Sequence, residues 1–344
     1  MTNQASIATL LDIIRERRTF VITSHLRPDG DALGSALGLM HLLEAMGKHV
    51  VVNFTEPVPA LFQFLPGADR IDCQYPAVQP DAIVFLECDS VQRSSLSSPG
   101  LETWQKTFTI NIDHHQTGLE FASFNWIDPE AASVGSMVYD LALAAGMSIT
   151  KAMADCLYSA VLTDTGSFNY PSTSAATFAM AEHLVQVGTV PNLIARSIYF
   201  CNPLSKVQLL GIALTKLRVE DQVCWSTVTI DEMKSVGATV EDCEGIANYL
   251  VAIAGIEAAV FVRELPSREH CRLSIRGRGN FDVSQVAVHF GGGGHFSASG
   301  CSAHGRLEDV TARAVAELKA LCKLPRQGPV NAAVTAEECS RLLA

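Results

Sequence analysis

The sequence has no C-x-x-C pair, although it contains ten cysteines scattered singly from Cys73 to Cys339. Neither a zinc ribbon nor the disulfide framework of a small secreted domain is therefore expected, and most of the thiols should be small core residues. Nor is there an uninterrupted apolar run of the roughly 18 residues that a helical membrane span requires. The stretch from Ala5 to Ile14 is apolar, but Asp12 interrupts it, Arg15-Glu16-Arg17-Arg18 follows at once, and no small-residue cleavage pattern is present. It reads as a first amphipathic helix rather than a leader, and the chain is expected in the cytoplasm, off the membrane. Positive charge is scarce: 25 Lys and Arg stand against 36 Asp and Glu, a net charge of -11. That argues against a broad electrostatic grip on long duplex nucleic acid. A small anionic substrate would need local neutralisation instead, from divalent cations and a few placed Arg and His residues. There is no internal repeat and no low-complexity segment.

What the sequence does have is a large apolar fraction, 48% of 344 residues, enough for about two domains. Short β-rich runs recur at Phe20 to Thr23, Val50 to Phe54, Ile83 to Leu86 and Phe108 to Ile112, with helical stretches between several of them. This alternation predicts an α/β fold with a largely parallel sheet and flanking helices. From Ser133 to about Gly188 the pattern is helical, with Thr150 and Ser174 as N-caps. Pro191 and Pro203 mark a connection. Beyond it, strands are predicted at Val223 to Ile230, Ala258 to Val262 and Cys271 to Ile275, and helices at Val283 to Phe290 and Leu307 to Leu321. The expected organisation is thus a catalytic domain over 1–190, a connecting segment over 191–215, a smaller α/β substrate-binding domain over 216–324 and a tail over 325–344, with the active-site cleft between the two lobes.

The polar residues just after the strands carry the chemistry, because in open α/β sheets ligands bind at the carboxyl ends of strands. Ser24-His25-Leu26-Arg27-Pro28-Asp29-Gly30-Asp31 follows one strand and opens an apolar helix, placing three metal-capable side chains, His25, Asp29 and Asp31, in one loop. A solvated turn with an Asp-rich helix start is the plainer, lesser alternative. Asp113-His114-His115 follows another strand; adjacent residues face opposite sides of a pleat, so one histidine suffices as a ligand and the other is free for substrate. Asp89 lies in Glu87-Cys88-Asp89-Ser90 after a third strand, and Asp164 closes an apolar stretch in Thr163-Asp164-Thr165-Gly166, where a turn or capping role is the plainer alternative. The four segments supply five Asp and three His, a hard oxygen and imidazole set that suits manganese or magnesium better than thiolate-bound zinc. In the second lobe, Gly291-Gly292-Gly293-Gly294-His295 offers exposed N–H groups and Arg276 and Arg278 offer guanidinium groups, all suited to phosphate. His41, His49, His183, His270, His289 and His304 lack metal-capable neighbours and read as surface or core residues.

In this order, the segments from His25 to Ser35, Asp89, Asp113-His114-His115, Thr163 to Gly166 and Gly291 to His295 resemble the DHH phosphoesterase family, in its members with a C-terminal DHH-associated domain. The resemblance extends to Leu321 and points to the nanoRNase and phosphoadenosine-phosphate phosphatase branch related to RecJ. It implies two manganese ions, magnesium being the other compatible metal: His25, Asp29 and Asp89 on one, Asp31, Asp89, His114 and Asp164 on the other, so that Asp89 bridges. It implies further that Asp113 orients a histidine, that His115 contacts the phosphate, and that Arg276, Gly292, Gly293, Gly294 and His295 bind substrate. The implied reaction is attack on phosphorus by a metal-bridging hydroxide, releasing mononucleotides from very short oligoribonucleotides and removing the 3'-phosphate of phosphoadenosine phosphate. A homodimer is compatible with this reading. Cyclic or linear dinucleotides, pyrophosphate or polyphosphate, and nucleotide binding without catalysis remain the alternatives. Two departures stand out: Ser24 precedes His25, and Phe296-Ser297-Ala298-Ser299-Gly300 follows the glycine loop where a lysine-containing run is usual. The second removes a positive charge beside the substrate residues and leaves the nucleotide preference open.

Overall fold

The computed structural model describes residues 3–77, 79–115, 118–278, 281–294 and 296–323. Two compact units divide after Cys201. The first contains α1 (Asn3–Arg15), β1 (Thr19–Thr23), α2 (Gly30–Ala45), β2 (His49–Val52), β3 (Ala82–Leu86), the one-turn α3 (Gly100–Thr103), β4 (Phe108–Asp113), β5 (Phe124–Ile127), α4 (Val134–Ala144), α5 (Lys151–Asp164), α6 (Ala175–Val187) and α7 (Pro191–Tyr199). Its five strands are all parallel, in the order β2-β1-β3-β4-β5. Parallel pairing points every carboxyl end the same way, so residues that follow β1, β3 and β4 meet at one edge despite their separation in sequence.

Alternation along the strands explains the two faces. Phe20 and Ile22 of β1, Ala82, Val84 and Leu86 of β3, and Ile110 and Ile112 of β4 pack with α1, α2, α4 and α5 in the main core. Val21, Ile83 and Phe85 point to the opposite face and join Val91 and Leu96 under Trp104 and Phe121. Phe85 meets Trp104 and Phe121 edge-on, with ring centroids 6.4 and 5.2 Å away. Helix α2 lies against α5 at backbone distance, and Gly34 is what permits it. A Cβ there would fall 2.5 Å from the Cys156 carbonyl oxygen. The expected N-caps form, with Thr150 accepting from the Met153 N–H and Ser174 from the Thr177 N–H.

The second unit contains α8 (Leu204–Thr215), β6 (Arg218–Glu220), β7 (Val223–Val228), α9 (Ile230–Ser235), α10 (Ile246–Val251), β8 (Ala258–Glu264), β9 (His270–Gly277), α11 (Ser284–His289), β10 (Gly293–Gly294), β11 (Ala298–His304) and α12 (Leu307–Cys322). Its sheet runs β10-β11-β9-β8-β7-β6 and is mixed, only β7 and β8 being parallel. Val260 and Val262 turn toward α11 and α12, while Ala259 and Phe261 turn toward α8 and α10, the period of two expected of a sheet buried on both faces. The strand expected to reach Ile230 stops at Val228, because Thr229 caps α9 in a box with Glu232. The expected connection is helical over most of its length, as α7 and α8. The expected tail lies outside the described residues. Among the described residues, no helix is long and apolar enough to cross a membrane.

Candidate metal centre

At the carboxyl edge of the parallel sheet, two groups of potential ligands overlap. Asp31, Glu87, His114 and Asp164 form one, and His25, Asp29 and Glu87 the other; within each group the ligand atoms lie within 4.8 Å of one another. Glu87 belongs to both. Each member is positioned by a feature of local structure. Asp29 is the N-cap of α2, its carboxylate accepting from the Ala32 N–H at 3.0 Å. Asp31, in the first turn of α2 and 1% exposed, accepts from Ser35 Oγ at 2.8 Å and from the N–H groups of Val134 and Gly135 at 2.7 and 2.9 Å. Those amides open α4, where a helix N-terminus favours a negative charge. Asp164 is the last residue of α5.

The histidines are oriented by their backbone bonds. His25 Nδ1 lies 2.9 Å from the Leu26 carbonyl oxygen and His114 Nδ1 lies 3.2 Å from that of Ala131. A carbonyl only accepts, so Nδ1 carries the proton in both rings and Nε2 presents a lone pair. His25 Nε2 is 3.7 Å from Glu87 Oε2 and 3.9 Å from Asp29 Oδ1, and His114 Nε2 is 3.5 Å from Asp164 Oδ2.

Electrostatically, the cluster is built for a cation. Burial, reinforced by the charges of Asp29, Asp31, Asp164 and Asp113, pushes Glu87 well above the ordinary carboxylate range. Burial, then Asp31 and Asp29, does the same to Asp164, and burial raises Asp31 against the opposing pull of His114. Glu87 is 1% exposed, and its Oε2 accepts no hydrogen bond among the described residues. A buried acceptor left this way is costly unless something else takes it up. Carboxylate oxygens and imidazole nitrogens form the donor set of a hard or borderline divalent ion, and a bound ion would reverse the repulsion between the acids. These residues fit a metal.

The structure corrects one expected ligand. Asp89 lies in neither group; its carboxylate is held by Arg93, with Nη1 2.5 Å from Oδ2. Glu87, two residues earlier, is the acid that belongs to both groups. Alternation along β3 could not separate the two, since residues two apart share a face. The chain leaves the extended conformation at Glu87, where φ is +53°, and this left-handed turn swings Glu87 into the cluster. One signal in the sequence did favour it, because Glu87 is the first polar residue after the apolar run of β3.

Asp113 accepts from the N–H groups of His114 and His115 at 2.9 and 3.2 Å and from His115 Nδ1 at 2.6 Å. Its burial alone would raise it, but the hydrogen bond and charge of His115 outweigh burial and hold it below the ordinary range. The ring it orients is therefore that of His115. In the second unit, Arg276 lies on β9 with Nε 2.7 Å from Asn248 Oδ1, and Gly293 and Gly294 pair as β10 with Gly300 and Ser299 of β11. Gly292 immediately precedes that pair, and His295 lies outside the described residues.

A parallel sheet whose strand ends gather carboxylates and imidazoles into two adjoining groups defines a metal-dependent hydrolase of the phosphoesterase kind. Residues 19–161 match the DHH family, N-terminal domain, and residues 221–324 match the DHHA1 domain. The chain belongs to the DHH family, and it is an enzyme of that family. It is 30% identical over 83% of its length to the bifunctional oligoribonuclease and PAP phosphatase NrnA of Thermus thermophilus, covering 84% of that protein. With the protein of the same name from Bacillus subtilis it shares 28% identity over 89% of its length and 95% of the relative. The crystal structure of an exopolyphosphatase-related protein from Bacteroides fragilis superposes with a TM-score of 0.85 at 28% identity, over 93% of this chain and 98% of the other.

Proposed function

We propose that this enzyme is a manganese-dependent phosphoesterase that hydrolyses very short oligoribonucleotides to mononucleotides and removes the 3'-phosphate of phosphoadenosine phosphate. The observation that carries the reading is the pair of ligand groups sharing Glu87. The names of the Thermus and Bacillus relatives, similar over more than four-fifths of this chain, favour these substrates. The acidic balance of the chain, at -11, favours short substrates over long ones.

Two divalent ions, when bound, would supply an acidified water and neutralise charge on the phosphoryl oxygens. We assign His25, Asp29 and Glu87 to one ion and Asp31, Glu87, His114 and Asp164 to the other, with Glu87 shared in place of Asp89. The backbone bonds of His25 and His114 fix their tautomers, so both rings offer Nε2 without rearrangement. Asp113 holds the His115 ring through Nδ1, and His115 is assigned to a phosphoryl oxygen. Arg276, Gly292, Gly293, Gly294 and His295 are assigned to the rest of the substrate, where a planar guanidinium and backbone N–H groups suit phosphate.

The test is product analysis with manganese on RNA dimers to pentamers and phosphoadenosine phosphate, using the wild type, Glu87→Gln and Asp89→Asn. Mononucleotides from the wild type and Asp89→Asn, with none from Glu87→Gln, support the assignment. Loss in Asp89→Asn with activity retained in Glu87→Gln would return the shared position to Asp89. Activity confined to pyrophosphate or a cyclic dinucleotide would keep the metal centre and replace the substrate.

A further inference from the structure

The turn after Asp164 has a conformation that the metal ligands do not require. Gly166, Ser167 and Phe168 take φ values of +57°, +62° and +64° in succession, the last two in a region that L-residues disfavour. Tight bonds hold the turn: Ser167 N–H donates to the Leu162 carbonyl at 2.8 Å, and the N–H groups of Asn169 and Tyr170 both donate to that of Thr165 at 2.9 Å. The result is that the Tyr170 ring folds back onto Gly166, where a Cβ would fall 2.5 to 2.8 Å from three of its ring atoms. Glycine at 166 is favoured by its φ and required by the ring.

The ring is held there but not covered: Tyr170 is 48% exposed. Its anchor, Gly166, is two residues from Asp164, and two residues of chain span at most about 7 Å. The same turn places Phe168 between Tyr158 and Phe178, stacked on the latter at 5.4 Å, so rigid rings surround the support. A half-open aromatic ring seated on a glycine two residues from a candidate ligand has the chemistry to receive a nucleobase, since every base presents a π-face.

We propose that Tyr170 is a base-stacking residue, which selects nucleotides over other phosphate esters at this centre. The proposal rests on the phosphoesterase reading and names the part of the substrate recognised beyond the phosphate. It predicts a specificity effect rather than a chemical one, because the ring contacts the base and not the reacting atoms.

The experiment compares binding of AMP and of ribose 5-phosphate, with manganese, to the full chain by titration calorimetry, in the wild type, Tyr170→Leu and Tyr170→Phe. The wild type should prefer AMP, Tyr170→Leu should lose roughly tenfold in affinity for AMP with ribose 5-phosphate unchanged, and Tyr170→Phe should keep the preference. Wild type binding AMP no tighter than ribose 5-phosphate overturns the proposal, as does an equal loss for both ligands in Tyr170→Leu, which would mark the ring as a cover for the turn. An unaltered AMP preference in Tyr170→Leu overturns it too. Dinucleotide turnover by the wild type is read in parallel; its absence strikes the phosphoesterase reading and leaves the binding comparison to decide the role of Tyr170.

Discussion

Both units bury acids, and they treat them differently. In the second, Asp242 is buried but its Oδ2 accepts from Ser205 Oγ at 3.0 Å and from the Thr239 N–H at 2.9 Å. In the first, Glu87 is as deeply buried, its Oε2 accepts no hydrogen bond among the described residues, and four carboxylates push its proton affinity up. One acid has been given the donors that stability asks for, and the other has been left for a cation to take up. A buried carboxylate oxygen without a donor sets Glu87 apart from Asp242, whereas burial alone does not; Asp31, in the same cluster as Glu87, is buried and has three donors.

The contrast is broken most decisively at Glu87 itself. Glu87→Gln keeps the shape but removes the shared charge, and steady-state kinetics with manganese should show turnover reduced by at least ~100-fold, against less than tenfold for Asp89→Asn. Equal losses would erase the distinction between the two positions. Next in size is the positioning of the site by helix packing. Gly34→Ala drives a methyl against the Cys156 carbonyl at the contact between α2 and α5, and denaturant unfolding should register a loss of about 1–3 kcal/mol. Asp242→Ala should cost a similar or smaller amount, roughly 1–2 kcal/mol, by orphaning the Ser205 and Thr239 donors, with manganese affinity unchanged in calorimetry.

The smallest effect is one of pH. Glu87, Asp164 and Asp31 are raised in the folded, metal-free protein, so their contribution to stability is complete below the ordinary carboxylate range and is lost as pH rises through the raised values. In chelator, the melting temperature should therefore fall by a few degrees on going from mildly acidic toward neutral pH. Manganese should reverse that slope, because it binds the deprotonated acids and its stabilisation grows with pH. A melting temperature in chelator that climbs over the same range would show that these acids are not raised.

Much of this was legible from one dimension. The alternation of apolar runs is a local property, and it located four of the five parallel strands, the helical stretch and the strands β7, β8 and β9, while missing β5, β6 and β11. The capping residues Thr150 and Ser174 were legible too, since their donors lie three residues away. His25, Asp29, Asp31, His114 and Asp164 were readable as candidates because each is polar chemistry just beyond an apolar element. Of the histidines set aside, His41 and His183 hydrogen-bond to the Pro66 carbonyl and the Tyr139 hydroxyl, whereas His289 meets Glu317 and His270 meets the ring of His304, neighbours the sequence did not reveal.

Tertiary structure alone decided which acid belongs to both ligand groups and where the Tyr170 ring lies. Glu87 and Asp89 both follow β3 at positions of the same parity, and only the backbone turn at Glu87, with Arg93 taking Asp89, separates them. Tyr170 is six residues past Asp164 in the sequence, and its ring is folded back onto Gly166 across three successive left-handed residues, a conformation that no propensity for L-residues foretells. Sequence fixes what is local and periodic. Convergence of side chains depends on φ and ψ at single residues, and those are set by the whole fold.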